Sequence, residues 1–190
     1  MQCKETCPLI KLYFVTIISM AISVRFFKVY TSFVAFFLMV IVPIVFFKKD
    51  LKSIGYRNFT KGFFWGVVSL LVLSPLVFIC SAISKNIYLG EVVNSFIAYL
   101  PMVIAEETFF RGYFYSQIEN ETLIGPISKV NLISSFLFTS ACVWIYYDPA
   151  KFLAFFPSLA MGYLYEKSSS ILAPIIFHLG INFIYTLFPC

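Results

Sequence analysis

The stretch Pro101-Met102-Val103-Ile104-Ala105-Glu106-Glu107-Thr108-Phe109-Phe110-Arg111 decides how the chain is read. It sets three ionisable side chains inside an apolar run at 92–118 that is long enough to cross a bilayer as a helix. A charged side chain at the bilayer centre costs about 2.5–3.5 kcal/mol on insertion scales, so unpaired charges are hard to keep there. Helical spacing divides the work among the three. Glu107 and Arg111 are four apart, with the acid N-terminal to the base, which is the favourable order for an i,i+4 pair. Glu106 is turned about 100° from Glu107, since a turn takes 3.6 residues. It therefore points at another helix and lacks an intrahelical cation. Glu107 and Arg111 are expected to build a site in which Glu106 works. The bland alternative is an ion-pair network that only locks helix packing.

Composition supports the membrane setting. The chain is 61% hydrophobic and 12% charged, about half the charged fraction of a soluble domain. The fold class expected is all-α: a polytopic membrane helix bundle of about seven transmembrane helices, forming one compact domain. Apolar stretches run at 9–24, 29–47, 62–84, 92–118, 128–147, 150–166 and 169–188. The sixth is short for a bilayer that needs ~20 residues, so it is tilted or buried in the bundle.

Loop charge sets the orientation. Lys48, Lys49, Lys52, Arg57 and Lys61 fall between the second and third helices, against a single Asp50. The positive-inside rule places that loop in the cytoplasm. Alternation then puts the N-terminus, Lys4, Lys11, Lys129 and Lys167 inside, and Cys190 outside with Arg25, Lys28, Lys85 and Lys151. A multi-pass protein of the bacterial plasma (inner) membrane is expected, with its first helix a retained span. The net charge of +5 is met by these loops and calls for no nucleic-acid partner. The segment 49–56 reads as a short amphipathic interfacial piece. No internal repeat suggests an inverted-repeat transporter. A transporter or channel would explain buried charge, but not the spacing of the motifs below.

Cys3, Cys7, Cys80, Cys142 and Cys190 are scattered and odd in number, which supports neither a disulfide framework nor a paired CxxC zinc site. The fifth helix holds Phe138-Thr139-Ser140-Ala141-Cys142, with Phe138 and Cys142 on one face. The sixth holds Ser158 and Gly162 in a small-xxx-small spacing suited to close helix contact. The seventh holds the one histidine of the chain, His178, with Asn182 on the same face one turn later. Gly180 between them leaves a thin wall.

Together these residues resemble the CAAX-protease and bacteriocin-processing (Abi) family of intramembrane proteases. That family's pattern is Glu-Glu-x-x-x-Arg, then Phe-x-x-x-His, then His-x-x-x-Asn. The first motif stands here as Glu106–Arg111 and the third as His178-Leu179-Gly180-Ile181-Asn182. The lead-in from Gly162 to Pro174 is also similar. The resemblance covers about 91–188, so 91–190 would be the catalytic core helices and 1–90 the N-terminal helices with the cytoplasmic loop. It implies a glutamate-type endopeptidase without a cofactor, acting on a membrane-embedded or membrane-associated peptide or protein. Glu106 would be the general base for water, and His178 with Asn182 would stabilise the oxyanion.

One position departs from the pattern. Cys142 stands where the second motif ends in histidine, so Glu106 loses its helper. Three readings follow. Glu106 alone positions water, with Cys142 as a weak hydrogen-bond partner. Alternatively, Cys142 is a nucleophile with His178 or Glu106 as its base. In the third, catalysis is impaired and the protein is a membrane binding or immunity partner. A zinc site of Cys142, His178 and Glu106 ranks last, because no HExxH is present and one histidine is few for such a centre.

Overall fold

The computed structural model describes residues 3–27, 30–83, 89–119 and 121–187. Lys28, Lys85 and Cys190 lie outside them, as do the side chains of Cys3, Lys4, Cys7 and Cys80. The described residues form seven helices: α1 Cys3–Phe26, α2 Thr31–Val45, α3 Phe59–Ile83, α4 Leu89–Glu107, α5 Lys129–Tyr146, α6 Phe155–Ser168 and α7 Leu172–Leu187. A small antiparallel hairpin, β1 Thr122–Ile124 and β2 Ile127–Ser128, leads into α5. The all-α bundle expected from composition is present.

Six helices close a ring. α1 touches α2, α2 touches α4, α4 touches α7, α7 touches α6, α6 touches α5, and α5 returns to α1. α3 lies outside the ring against α7 and α6. Inside sit Tyr13, Met20, Phe109, Phe110, Phe114, Phe138 and Met161. The Tyr13 hydroxyl donates to the Leu137 carbonyl at 2.8 Å and ties α1 to α5. Outside, Phe33, Phe63, Leu71, Val72, Trp144, Leu153 and Phe156 are exposed. Apolar side chains spread over helix backs in this way suit lipid as solvent. By length and composition, Pro8–Phe26 and Lys129–Tyr146 can each cross a membrane alone, and Thr31–Val45, Phe59–Pro75 and Leu172–Ile184 are shorter apolar helices.

The short sixth stretch has a local cause. Asp148 accepts a hydrogen bond from the Ala150 backbone N–H and starts a 3-10 turn at Pro149–Ala154. The α-helix begins only at Phe155 and buries Ser158, Met161, Gly162 and Leu164. One face of it packs into the bundle, while Leu153 and Phe156 around its start stay exposed.

Two helices contain wide π turns. α2 has one at Phe37–Ile41, just before Pro43, which cannot donate to the regular ladder. α4 passes into another at Thr108–Tyr113. Pro101 stays inside α4, and the break in α geometry comes after it. The two π segments touch, and the Phe47 ring lies 5.6 Å from that of Tyr113. Single π turns inside helices concentrate at functional sites.

The segment 49–56 differs from expectation. It is a run of turns rather than an amphipathic piece lying on a surface. Leu51, Lys52 and Ser53 are exposed, but Ile54 and Gly55 are buried against the helices. Only docking against α4 and α7 could reveal this.

Candidate active site

Four predicted site residues meet where α4 faces α7. Arg111 Nη1 donates to Glu107 Oε1 at 3.0 Å, forming the expected i,i+4 pair with both side chains fully buried. The same oxygen lies 2.7 Å from His178 Nδ1. An ionised carboxylate only accepts hydrogen bonds, so Nδ1 carries the proton and donates. The other ring nitrogen, Nε2, then faces Glu106 Oε2 at 3.8 Å. The two neighbouring glutamates thus address opposite nitrogens of one imidazole. Glu107 is sealed, whereas the Glu106 side chain keeps 19% of its surface. Glu106 is the more exposed of the two carboxylates.

α5 and α6 complete the surroundings. Arg111 Nη2 donates to the Ser158 carbonyl at 2.9 Å and to its hydroxyl at 2.5 Å. The Arg111 guanidinium sits over the Phe138 ring at 5.1 Å, and that ring meets His178 edge to face at 5.9 Å. Ser134 Oγ donates to the Phe110 carbonyl at 2.8 Å, fixing the π segment to α5. Cys142 is a half-buried free thiol on α5. Asn182 is half-buried, one turn beyond His178 on α7. Among the described residues, no group of three or more His, Cys, Asp or Glu side chains is arranged to hold a metal ion.

The family model described as type II CAAX prenyl endopeptidase Rce1-like matches residues 88–184, just over half of the 190-residue chain. The chain belongs to this family. No curated protein and no solved structure matches it. Membership makes the Rce1-like chain a membrane protein of the CAAX-protease type, a peptide hydrolase in general terms. The match contains all six residues singled out from the sequence: Glu106, Glu107, Arg111, Cys142, His178 and Asn182.

Sequence reasoning missed two parts of the Rce1-like site. Ser158 was assigned to close packing with Gly162, yet its oxygens receive Arg111. Gly162 does make a close contact: a Cβ there would run into Asn131 Oδ1. Phe138 was seen only as the start of a motif, and it forms a wall shared by Arg111 and His178. A lone buried arginine with more donors than its glutamate can accept was the available signal.

Proposed function

We propose that the chain is an intramembrane endopeptidase in which Glu106 is the base for water, and His178 with Asn182 stabilises the oxyanion. The observation that carries this reading is the clamp on His178, with Glu107 on Nδ1 and the partly exposed Glu106 beside Nε2. Glu106 takes a proton from water as the water oxygen bonds to the scissile carbonyl carbon. The carbonyl oxygen gains the charge and is met by the Asn182 amide and by Nε2–H of protonated His178. Nδ1–H already donates to Glu107, so a proton on Nε2 makes the ring a cation. The two flanking carboxylates and Arg111 then balance to a neutral quartet, which suits a low-dielectric setting. The C–N bond breaks, and the leaving amine takes the proton that Glu106 acquired.

Substrate is a membrane-associated peptide or protein, in keeping with the family's description as a prenyl endopeptidase. Charge bias supports a plasma-membrane protein with its N-terminus in the cytoplasm and its C-terminus outside. Cys142 partners Glu106 in the position that family resemblance gives to histidine.

The test is cleavage of a quenched fluorescent peptide, held on phospholipid vesicles by one lipid chain. Glu106→Ala is expected to lower turnover at least about a hundredfold, the lower range for losing a general base. His178→Ala should do likewise, while Cys142→His keeps or raises turnover. Loss with Cys142→Ala, together with labelling of Cys142 by a thiol-reactive peptide, would move the chemistry to a cysteine nucleophile. Retention of the cellular phenotype by all four variants would leave a non-catalytic binding or immunity partner.

A further inference from the structure

The segment 54–57 lies outside the family match, yet it touches both helices that bring the site together. Its backbone is bent by Gly55 at φ +94°, where a Cβ would collide with the Tyr165 ring at 2.6 Å. The Gly55 carbonyl accepts from the Ile171 N–H at 2.9 Å, at the start of α7. Arg57 Nε donates to the Ser169 carbonyl at 3.3 Å, in the link between α6 and α7. On the other side, the Ile54 carbonyl lies against Gly112 of the π segment, 2.5 Å from where a Cβ would stand. Tyr56 packs into a cluster of Val103 from α4 with Ile171, just before α7, and Ile175 and Leu179 on it.

The Tyr56 hydroxyl lies 2.7 Å from Thr108 Oγ1. Thr108 has one hydroxyl hydrogen, and the Ile104 carbonyl takes it at 2.6 Å. Tyr56 is therefore the donor. Thr108 follows Glu107 directly and opens the π segment that carries Arg111. The hydroxyl thus acts where α4 geometry changes, one residue from the carboxylate that holds His178.

We infer that residues 54–57 form a positioning strap for the site, with the Tyr56 hydroxyl fixing the turn that sets Glu107 against His178. Tyr56 is a positioning residue, because it touches Thr108 and acts through it. Its catalytic consequence rests on the endopeptidase reading, whereas its effect on the imidazole does not. The chain holds a single histidine, so selective 15N-histidine labelling yields the ring nitrogens of His178 alone.

The experiment compares the full chain with Tyr56→Phe, Thr108→Ser and Thr108→Val, in detergent for NMR and on vesicles with the lipid-anchored quenched peptide. Tyr56→Phe should lower kcat about tenfold with KM unchanged, near the upper effect of one neutral hydrogen bond. The Nδ1–H signal of His178 should shift or broaden while the melting temperature holds. Thr108→Ser keeps the acceptor and should match the parent, and Thr108→Val should match Tyr56→Phe. A folded Tyr56→Phe protein with the parent's kcat and the parent's Nδ1–H signal would overturn the proposal. Should Tyr56→Phe fail to fold, the threonine pair decides, and identical behaviour of Ser and Val overturns it. If the parent cleaves nothing but Tyr56→Phe still moves the Nδ1–H signal, the strap stands and the endopeptidase reading falls. No cleavage and no movement ends both.

Discussion

Among the described residues, the polar network between α5 and α6 and the one between α4 and α7 are built in opposite ways. Between α5 and α6 the network is neutral along most of its length. Ser128 Oγ caps α5 by accepting from the Asn131 N–H, and Asn131 Nδ2 donates to the Leu159 carbonyl at 3.1 Å. Ser135 Oγ donates to Asn131 Oδ1. Its one charged member, Glu166, accepts from Ser128 near the bundle's end. Between α4 and α7 the network is ionic and buried, with Arg111, Glu107 and His178 in line. Glu107 Oε2 and Arg111 Nε have no hydrogen-bond partner among the described residues. Packing alone asks only for the first kind, since hydroxyls and amides join membrane helices at modest cost. A buried ionic line with spare polar atoms is expensive, and it is the feature on which the proposed function rests.

The comparison breaks or sharpens under substitution. Glu107→Ala strips Arg111 of its counter-charge in a closed setting. Loss of about 3–5 kcal/mol is expected, as for other broken buried pairs, seen as a collapse of folded yield and melting temperature in detergent. Gly162→Ala forces a methyl group against Asn131 Oδ1 and should cost about 1–3 kcal/mol, as overpacking does. Its turnover per folded molecule should stay at the parent level, because the insult falls on the neutral network. Ser135→Ala removes one hydrogen bond and should cost about 1 kcal/mol by chemical denaturation, again without loss of turnover. If Ser135→Ala or Gly162→Ala silences cleavage by a folded protein, the division between the two networks is wrong.

What was legible in the sequence was local or periodic. The Glu107–Arg111 pair follows from a four-residue spacing on one helix, and the structure forms it. Seven apolar stretches became seven helices among the described residues, because hydrophobic length needs no knowledge of neighbours. Contacts made across the fold were not legible. Ser158 looks like any small residue until Arg111 arrives from α4. The turn run around Ile54 looked interfacial because its charges are exposed, while the burial of Ile54 depends on where α4 and α7 stand. The π turn at Thr108–Tyr113 has no proline within it and is held from outside, by Tyr56 on one side and Ser134 on the other.

The docking of α3 has a consequence for how the chain is made. Gly62 and Gly66 admit Ser170 and Ile176, and Gly180 admits Leu70 in return, so the two backbones interlock. The ribosome delivers one partner of this pair roughly a hundred residues before the other. The notched face of α3 therefore has nothing to fill it until the last helix has been made, so a chain cut short after α6 is expected to leave that face bare.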